Sequence, residues 1–167
     1  MKIASVIFVI LATIPAFGQP AAVYVDQIQQ DVRYQRAMNF VDGDYLRFVS
    51  ELIELTEIPA PPFQEDERAA AYLDKLKAFD LEDVEQDEEG NVMGVRRGTG
   101  EALLVVAAHL DTVFPEGTDV RVQRRGTRLS APGIGDDASG LATLLAIIRA
   151  LAAAEIETSA SILFVGD

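Results

Sequence analysis

The sequence predicts an α/β fold built around at least two strands and one helical crossover. Leu103–Ala108 is a continuous apolar run, which is typical of a strand buried on both faces. Ser139–Ala153 is a long and mostly apolar stretch that predicts a core helix, and residues 161–165 predict a second buried strand. Strand, helix and strand in this order favour a sheet with crossover connections.

Two helices are predicted before this unit. The apolar spacing between Tyr45 and Leu55 predicts the first, capped by Asp42 or Asp44. The proline-rich segment 58–62 should end it, because proline lacks the backbone N–H and disfavours helix in its predecessor. The second helix has an acidic first turn and the apolar stripe Ala69, Ala70, Leu73, Leu76 and Phe79.

Shorter strands are expected between these helices and the crossover helix. Residues 84–86 and 91–96 predict one pair of strands around a turn-like acidic segment. Residues 120–124 and 128–130 predict a hairpin whose turn is the segment 125–127. The sequence therefore predicts more than two strands, with no internal repeat among them.

Composition limits the classes of function. The 167 residues suit one domain, and a hydrophobic fraction of 49% is enough to build a core. The net charge of −13 argues against a nucleic-acid partner, because phosphate binding needs clustered Lys and Arg. There is no cysteine, so a metal site here would have to use imidazole and carboxylate ligands.

The first residues predict a cleaved signal peptide over residues 1–18. Lys2 gives a positive start, residues 3–14 are apolar, and Ala16 and Gly18 satisfy the small-residue rule for cleavage before Gln19. The apolar run is short for a transmembrane helix. A membrane anchor or a buried helix is the alternative. The prediction is a secreted or periplasmic protein without stable membrane insertion after cleavage.

Two short motifs carry the candidate chemistry. His109 is the single histidine of the chain and directly follows the apolar run, with Asp111 two residues on. In an extended segment both side chains point to the same side. Asp136 lies beside glycine in a loop before the crossover helix, where backbone can approach a site closely. A shared metal site is one interpretation, and a core histidine with a hydrogen-bond partner is the other.

These motifs resemble those of a known family. Residues 107–115, Ala-Ala-His-Leu-Asp-Thr-Val-Phe-Pro, are similar to the first metal motif of the M20 family of zinc-dependent peptidases and deacylases. Residues 131–141 resemble its second motif. The resemblance covers residues 42–167, preceded by an N-terminal extension over residues 19–41. It implies a zinc-peptidase-like catalytic domain with a central mixed sheet flanked by helices, present here as its truncated N-terminal part.

The resemblance also assigns roles to the site residues. His109 corresponds to a histidine ligand of one metal ion, and Asp136 to the carboxylate that bridges both ions. Asp111 corresponds to the catalytic-site aspartate that hydrogen-bonds the histidine, which fixes the tautomer and raises the basicity of the ligand. Asp137 is an alternative ligand, although a helix cap is the favoured interpretation for this residue.

The activity implied by the resemblance is metal-dependent hydrolysis of peptide or N-acyl amide bonds. Two divalent ions are expected, with Zn2+ first and Co2+ or Mn2+ as alternatives. The substrate would be a peptide or an N-acyl amino acid, and the full-length protein would be a candidate homodimer. The family's general base and remaining metal ligands have no matching positions in these residues. The resemblance therefore implies activity for the longer enzyme and does not imply it for this chain alone.

Two alternative functions remain at this stage. The first is an aminopeptidase of the M28 family, because residues 136–140 also resemble that family's aspartate motif. The segment Thr-Val-Phe-Pro-Glu-Gly after the first motif favours M20. The second alternative is a truncated homologue that keeps the fold and binds without catalysis.

Overall fold

The computed structural model describes residues 21–167, with side chains from Val25 onward. The predicted signal peptide lies outside the described residues. The helices are α1 Ala21–Gln30, α2 Val32–Gly43, α3 Tyr45–Glu57, α4 Asp66–Lys77 and α5 Ser139–Ala153. The strands are β1 Glu82–Gln86, β2 Val92–Arg96, β3 Leu103–Ala108, β4 Gln123–Arg125, β5 Arg128–Ser130 and β6 Ser161–Gly166. None of the helices in this described part has the length and apolar character that crossing a membrane requires.

Four of the strands form a mixed sheet in the order β1-β2-β6-β3. β1 and β2 are antiparallel, β2 and β6 are antiparallel, and β3 and β6 are parallel. The parallel pair is joined through α5, as the strand–helix–strand pattern predicts. β4 and β5 form a separate hairpin. The prediction of an α/β fold with a mixed sheet flanked by helices is confirmed.

The core lies between one face of this sheet and the helices. Val92 of β2 and Phe164 of β6 are fully buried on this face, and Tyr72 of α4 and Leu141 of α5 are fully buried against it. Gly166 allows this close packing, because a Cβ at this position would lie 2.9 Å from the Tyr72 ring. Burial of this apolar surface is the main stabilising term of the fold.

The prediction that β3 is buried on both faces is wrong for the described residues. Leu103, Leu104 and Val105 expose 58%, 51% and 54% of their surface. Among residues 21–167, β3 lies at an edge of the sheet and pairs with β6 alone. An apolar strand predicts burial, but the sequence does not tell which segment supplies the cover. The described residues cover only the end of β3 next to His109.

Helices occupy the segment in which the sequence gives few signals. α1 and most of α2 lie within the predicted N-terminal extension, residues 19–41. α2 packs against α5 and α3. Asp31 caps α2, since its carboxylate accepts a hydrogen bond of 2.8 Å from the N–H of Arg33. The boundary between extension and catalytic part stays a prediction.

A buried ion-pair network joins α5 to the start of α3. Asp44 is the residue before α3, as one of the two predicted caps, but its side chain caps no helix N–H. Its carboxylate instead accepts a hydrogen bond of 2.7 Å from Nε of Arg149, whose Nη1 donates to Glu51 at 2.8 Å. The charged group of the core helix is therefore neutralised by residues about a hundred positions away in sequence.

Replacing Arg149 by Met should strongly destabilise the fold. The change leaves the largely buried carboxylate of Asp44 without its cation and leaves Glu51 with Arg47 alone, and breaking a buried pair in this way costs about 3–5 kcal/mol. Urea unfolding followed by circular dichroism measures the loss. Arg121→Met is the control, because the ion pair of Arg121 with Asp119 is solvent-exposed. The urea midpoint of this variant should stay close to that of the wild type. Equal midpoints for the two variants would contradict the prediction.

Candidate metal centre

The candidate site lies at the carboxyl ends of the parallel strands β3 and β6. His109 directly follows β3, and Asp167 directly follows β6. The two segments stay paired beyond the strands, since Asp167 N–H donates to the carbonyl of Ala108 at 3.2 Å and Leu110 N–H donates to the carbonyl of Asp167. Ligands of open α/β sheets commonly bind at this end.

The alternation of an extended chain orients the first motif. Leu110 is fully buried and anchors the segment to the core. His109 and Asp111, on either side of it, present side chains that are 37% and 40% exposed. Thr112 then binds the loop after α3, with its N–H at 2.8 Å and its hydroxyl at 3.2 Å from the carbonyl of Ala60. The imidazole and the carboxylate therefore face the same opening.

A tight turn brings the second motif to the same place. Gly133 has φ +76°, which favours glycine, and a Cβ there would lie 2.6 Å from Cγ2 of Thr112. The irregular turn Ile134–Ala138 follows and is closed by a 3.2 Å hydrogen bond from the N–H of Ala138 to the carbonyl of Gly133. The Asp136–Asp137 peptide bond in this turn is cis. The turn delivers Asp136 to the end of β3.

The structure brings His109, Asp111 and Asp136 into direct contact. Nε2 of His109 lies 2.9 Å from Oδ1 of Asp136. Nδ1 lies 3.0 Å from the carbonyl oxygen of Asp111 and 3.0 Å from its Oδ1. One ring nitrogen is thus held by Asp111, and the other faces the carboxylate of Asp136. The three residues singled out from the sequence form one cluster, while their roles in metal binding stay predictions.

This donor set fits a divalent metal ion. Two ligand atoms on one tetrahedral zinc ion lie about 3.3 Å apart, given metal–ligand distances near 2.0–2.1 Å. Nε2 of His109 and Oδ1 of Asp136 are already close to that separation. Asp111 on the far ring nitrogen supplies the carboxylate–histidine arrangement common in metal sites. Within residues 21–167 no third His, Asp or Glu completes a metal-binding cluster.

The same contacts change the pKa of His109. Partial burial lowers the pKa of the imidazole, but hydrogen bonds to Asp136 and Asp111 and the negative charge of Asp111 outweigh it. The net result is a pKa raised above 6.5. The paired carboxylates therefore favour a cation at this position, whether it is a proton or a metal ion.

Asp137 has a different environment from Asp136. Its Oδ1 accepts a 3.0 Å hydrogen bond from the N–H of Gly140, in the first turn of α5. This contact agrees with the predicted capping role, in which a carboxylate satisfies a free N–H at the helix start. The side chain that faces His109 is that of Asp136.

Arg68 borders this site, although no pattern in the sequence marks it as a functional residue. Arg68 of α4 is fully buried, and its Nη1 donates to the carbonyl of Leu110 at 2.7 Å. Its Nη2 donates to the carbonyl of Ile58 at 2.6 Å. The available signal was an arginine beside the apolar stripe of an amphipathic helix. Its two carbonyl partners are backbone groups, which no side-chain pattern reveals.

The chain is similar to known peptidases in a sequence profile and in fold. The profile of Peptidase family M28 matches residues 91–166. Yeast di-peptidase Dug1p and human carnosine dipeptidase 1 each superpose with TM-score 0.66 at 14% identity, over 80% of this chain and 34% of theirs. Aminopeptidase PepT from Bacillus cereus gives TM-score 0.61 at 24% identity, over 71% of this chain and 35% of its own. No curated protein matches significantly in sequence.

The fold is similar to that of the peptidase domains in these solved structures. The profile match and the similarity of fold confirm the predicted resemblance at the level of the M20 and M28 zinc peptidases. Two of these solved enzymes are dipeptidases and the third is an aminopeptidase, whereas the matching profile is that of Peptidase family M28. The chain spans about a third of the length of the three solved enzymes.

Asp136→Asn should lower the pKa of His109 in the metal-free chain. The hydrogen bond to Asp136 is the largest contribution that raises this pKa. The raised pKa stabilises the folded state fully at pH values below about 6.5, the pKa in the unfolded chain. This stabilisation is lost as the pH rises through the pKa of the folded state. Because the chain has a single histidine, its ring signals in NMR report the titration without overlap. An unchanged midpoint would contradict the pairing, and Asp137→Asn is the control.

Proposed function

We propose that this chain is part of a metal-dependent hydrolase that cleaves peptide or N-acyl amide bonds, of the M20 type. The observation that carries the proposal is the convergence of His109 Nε2 and Asp136 Oδ1, with Asp111 on the other ring nitrogen. Similarity of fold to dipeptidases and an aminopeptidase supports the same class of substrate. The expected substrates are peptides or N-acyl amino acids.

In this proposal each residue has a distinct task. His109 would hold one metal ion and Asp136 would be a ligand shared by two, with Zn2+ expected first and Co2+ or Mn2+ as alternatives. The chemistry that bound ions would supply here is polarisation of the scissile carbonyl and a lower pKa of a bound water molecule. Asp111 keeps the proton of His109 on Nδ1, so that Nε2 offers its lone pair to a metal. Asp136 also brings negative charge to the opening, where it offsets the charge of the ions.

The proposal assigns catalysis to a longer protein. Two protein ligands bind zinc more weakly than the usual three or four, and the general base is not among the residues assigned here. The exposed apolar residues of β3 are consistent with cover by further protein. Homodimerisation is proposed only for the full-length protein. The alternative of a non-catalytic homologue is an outcome of the first test.

The first test is to sequence the gene beyond the codon of Asp167 and express the complete product. Zinc-dependent hydrolysis of dipeptides and N-acetyl amino acids should then be measured, with loss on chelation and recovery on adding Zn2+. Activity on neither substrate class, in a protein that binds metal, would favour the non-catalytic homologue.

An M28-type aminopeptidase is the second candidate function. The observation that favours it is the match of the M28 profile to residues 91–166, which include both motifs. The same expressed protein distinguishes the two. Release of N-terminal residues from long peptides would favour M28, whereas cleavage restricted to dipeptides and N-acyl amino acids would favour M20.

Replacing His109 or Asp136 by Ala should reduce the metal content of the full-length protein. His109→Ala removes a ligand of one ion, whereas Asp136→Ala removes the ligand shared by both ions. Asp136→Ala should therefore release more metal than His109→Ala. Inductively coupled plasma mass spectrometry after dialysis gives the stoichiometry. Asp137→Ala is the matched control, which should retain metal and lose about 0.5–2 kcal/mol of stability through its cap. Unchanged metal content in both site variants would falsify the assignment.

We also propose export, with cleavage before Gln19. The support is the sequence pattern of residues 1–18 alone. Intact mass and N-terminal sequencing of protein secreted by a bacterial host should give Gln19, or its cyclised form, as the first residue. Protein that retains Met1 and stays in the membrane fraction would favour the anchor instead.

A further inference from the structure

Arg68 lies directly beneath the first motif and joins two segments that border the site. Its guanidinium donates to the carbonyl of Leu110, the residue between His109 and Asp111, and to the carbonyl of Ile58 at the end of α3. Arg68 is contributed by α4, which also packs against the sheet. One rigid planar group therefore fixes both carbonyls relative to α4.

The charge of Arg68 is buried without a direct ion pair in the described part of the chain. The residue is fully buried, and its Nε lacks a hydrogen-bond partner there. Burial lowers the pKa of Arg68 to about 10, and the charge of Asp111 partly opposes this shift. The group is therefore a cation at neutral pH. A buried charge of this kind is costly, so that stability alone is a weak reason for it.

The peptide that Arg68 holds determines where Asp111 lies. The carbonyl that Arg68 binds belongs to the peptide bond between Leu110 and Asp111. Both oxygens that face Nδ1 of His109 belong to Asp111. Thr112 adds bonds from the same segment to the carbonyl of Ala60. The segment carrying Asp111 is thus held on both sides of this residue, by Arg68 before it and by Thr112 after it.

From this geometry we propose that Arg68 is a positioning residue for the metal centre. It fixes the Leu110 peptide so that Asp111 keeps the imidazole of His109 in one orientation and one tautomer. The inference rests on the proposed metal-dependent function. Groups that hydrogen-bond a histidine ligand directly, as Asp111 does, commonly change metal affinity by about 10–100-fold when removed. Arg68 acts one group further out, so its effect should lie at the lower end of this range.

The test uses the 167-residue chain with selectively 15N-labelled histidine. His109 is the single histidine, so the two ring nitrogens give one isolated set of signals. Ring 15N shifts in the metal-free protein at pH 8 report which nitrogen carries the proton. Titration with Zn2+ alone then gives a dissociation constant at His109. Nδ1 faces two acceptor oxygens of Asp111, so wild-type protein should keep a proton on Nδ1 whether or not Nε2 also donates to Asp136. Its Nε2 signal should shift with Zn2+.

In Arg68→Met the ring shifts should move towards an average of both tautomers, and the Zn2+ dissociation constant should rise roughly tenfold. Arg68→Lys keeps the charge without the planar fork that spans two carbonyls, so its dissociation constant should fall between those of wild type and Arg68→Met. Far-UV circular dichroism checks that each variant is folded. If Arg68→Met fails to fold, Arg68→Lys alone tests the positioning role. Ring shifts and Zn2+ affinity equal to those of wild type in Arg68→Lys would then overturn the proposal.

Arg96→Met is the matched control. Arg96 is a half-buried arginine that also donates to a backbone carbonyl, that of Ile156. It lies where β2 pairs with the start of β6, at the opposite end of the sheet from His109. This variant should retain the wild-type tautomer and Zn2+ affinity.

The outcomes separate the inference from the proposed function. Wild-type shifts and affinity in Arg68→Met, or equal losses in Arg68→Met and Arg96→Met, would overturn the positioning role. If Zn2+ fails to shift the His109 signals of wild type, the proposed metal site fails in this chain. The metal-free tautomer comparison still decides the role of Arg68 in that case.

Discussion

The parallel pairing of β3 with β6, bridged by α5, is the constraint on which the rest of the structure depends. It places the residues that follow both strands at one end of the sheet. The crossover helix must return along the sheet, so the turn before α5 arrives at that same end. His109 and Asp136 are 27 residues apart in sequence and meet because the crossover begins where β3 ends. The site is thus a consequence of connectivity.

Buried arginines connect this crossover to the remaining helices. Arg149 ties α5 to the start of α3 through two carboxylates, and Arg68 ties α4 to the loops around the site through two carbonyls. The first is an ion-pair network that neutralises its charge. The second leaves a buried positive charge near Asp111. Arg149 therefore contributes to the packing of helices, whereas Arg68 contributes to the geometry of the site.

The local elements were largely predictable from the sequence. α5 matches the predicted helix residue for residue, the end of α3 follows from the prolines after it, and the hairpin falls at its expected turn. The apolar run of β3 predicted a strand correctly and its burial wrongly, because burial depends on partners that a single strand does not encode. Helices in residues 21–43 lacked a clear amphipathic signal, and α2 is fixed by packing on α5.

By itself, the sequence determined the strand–helix–strand core and the candidate residues His109, Asp111 and Asp136. Their chemistry is carried by side-chain type and short spacing, which a linear pattern records. Only the tertiary structure decided that Asp136 faces the imidazole while Asp137 faces the N–H of Gly140, because the backbone of the turn sets the direction of each side chain. It also decided the place of Arg68, because backbone carbonyls distant in sequence are acceptors whose position only folding fixes.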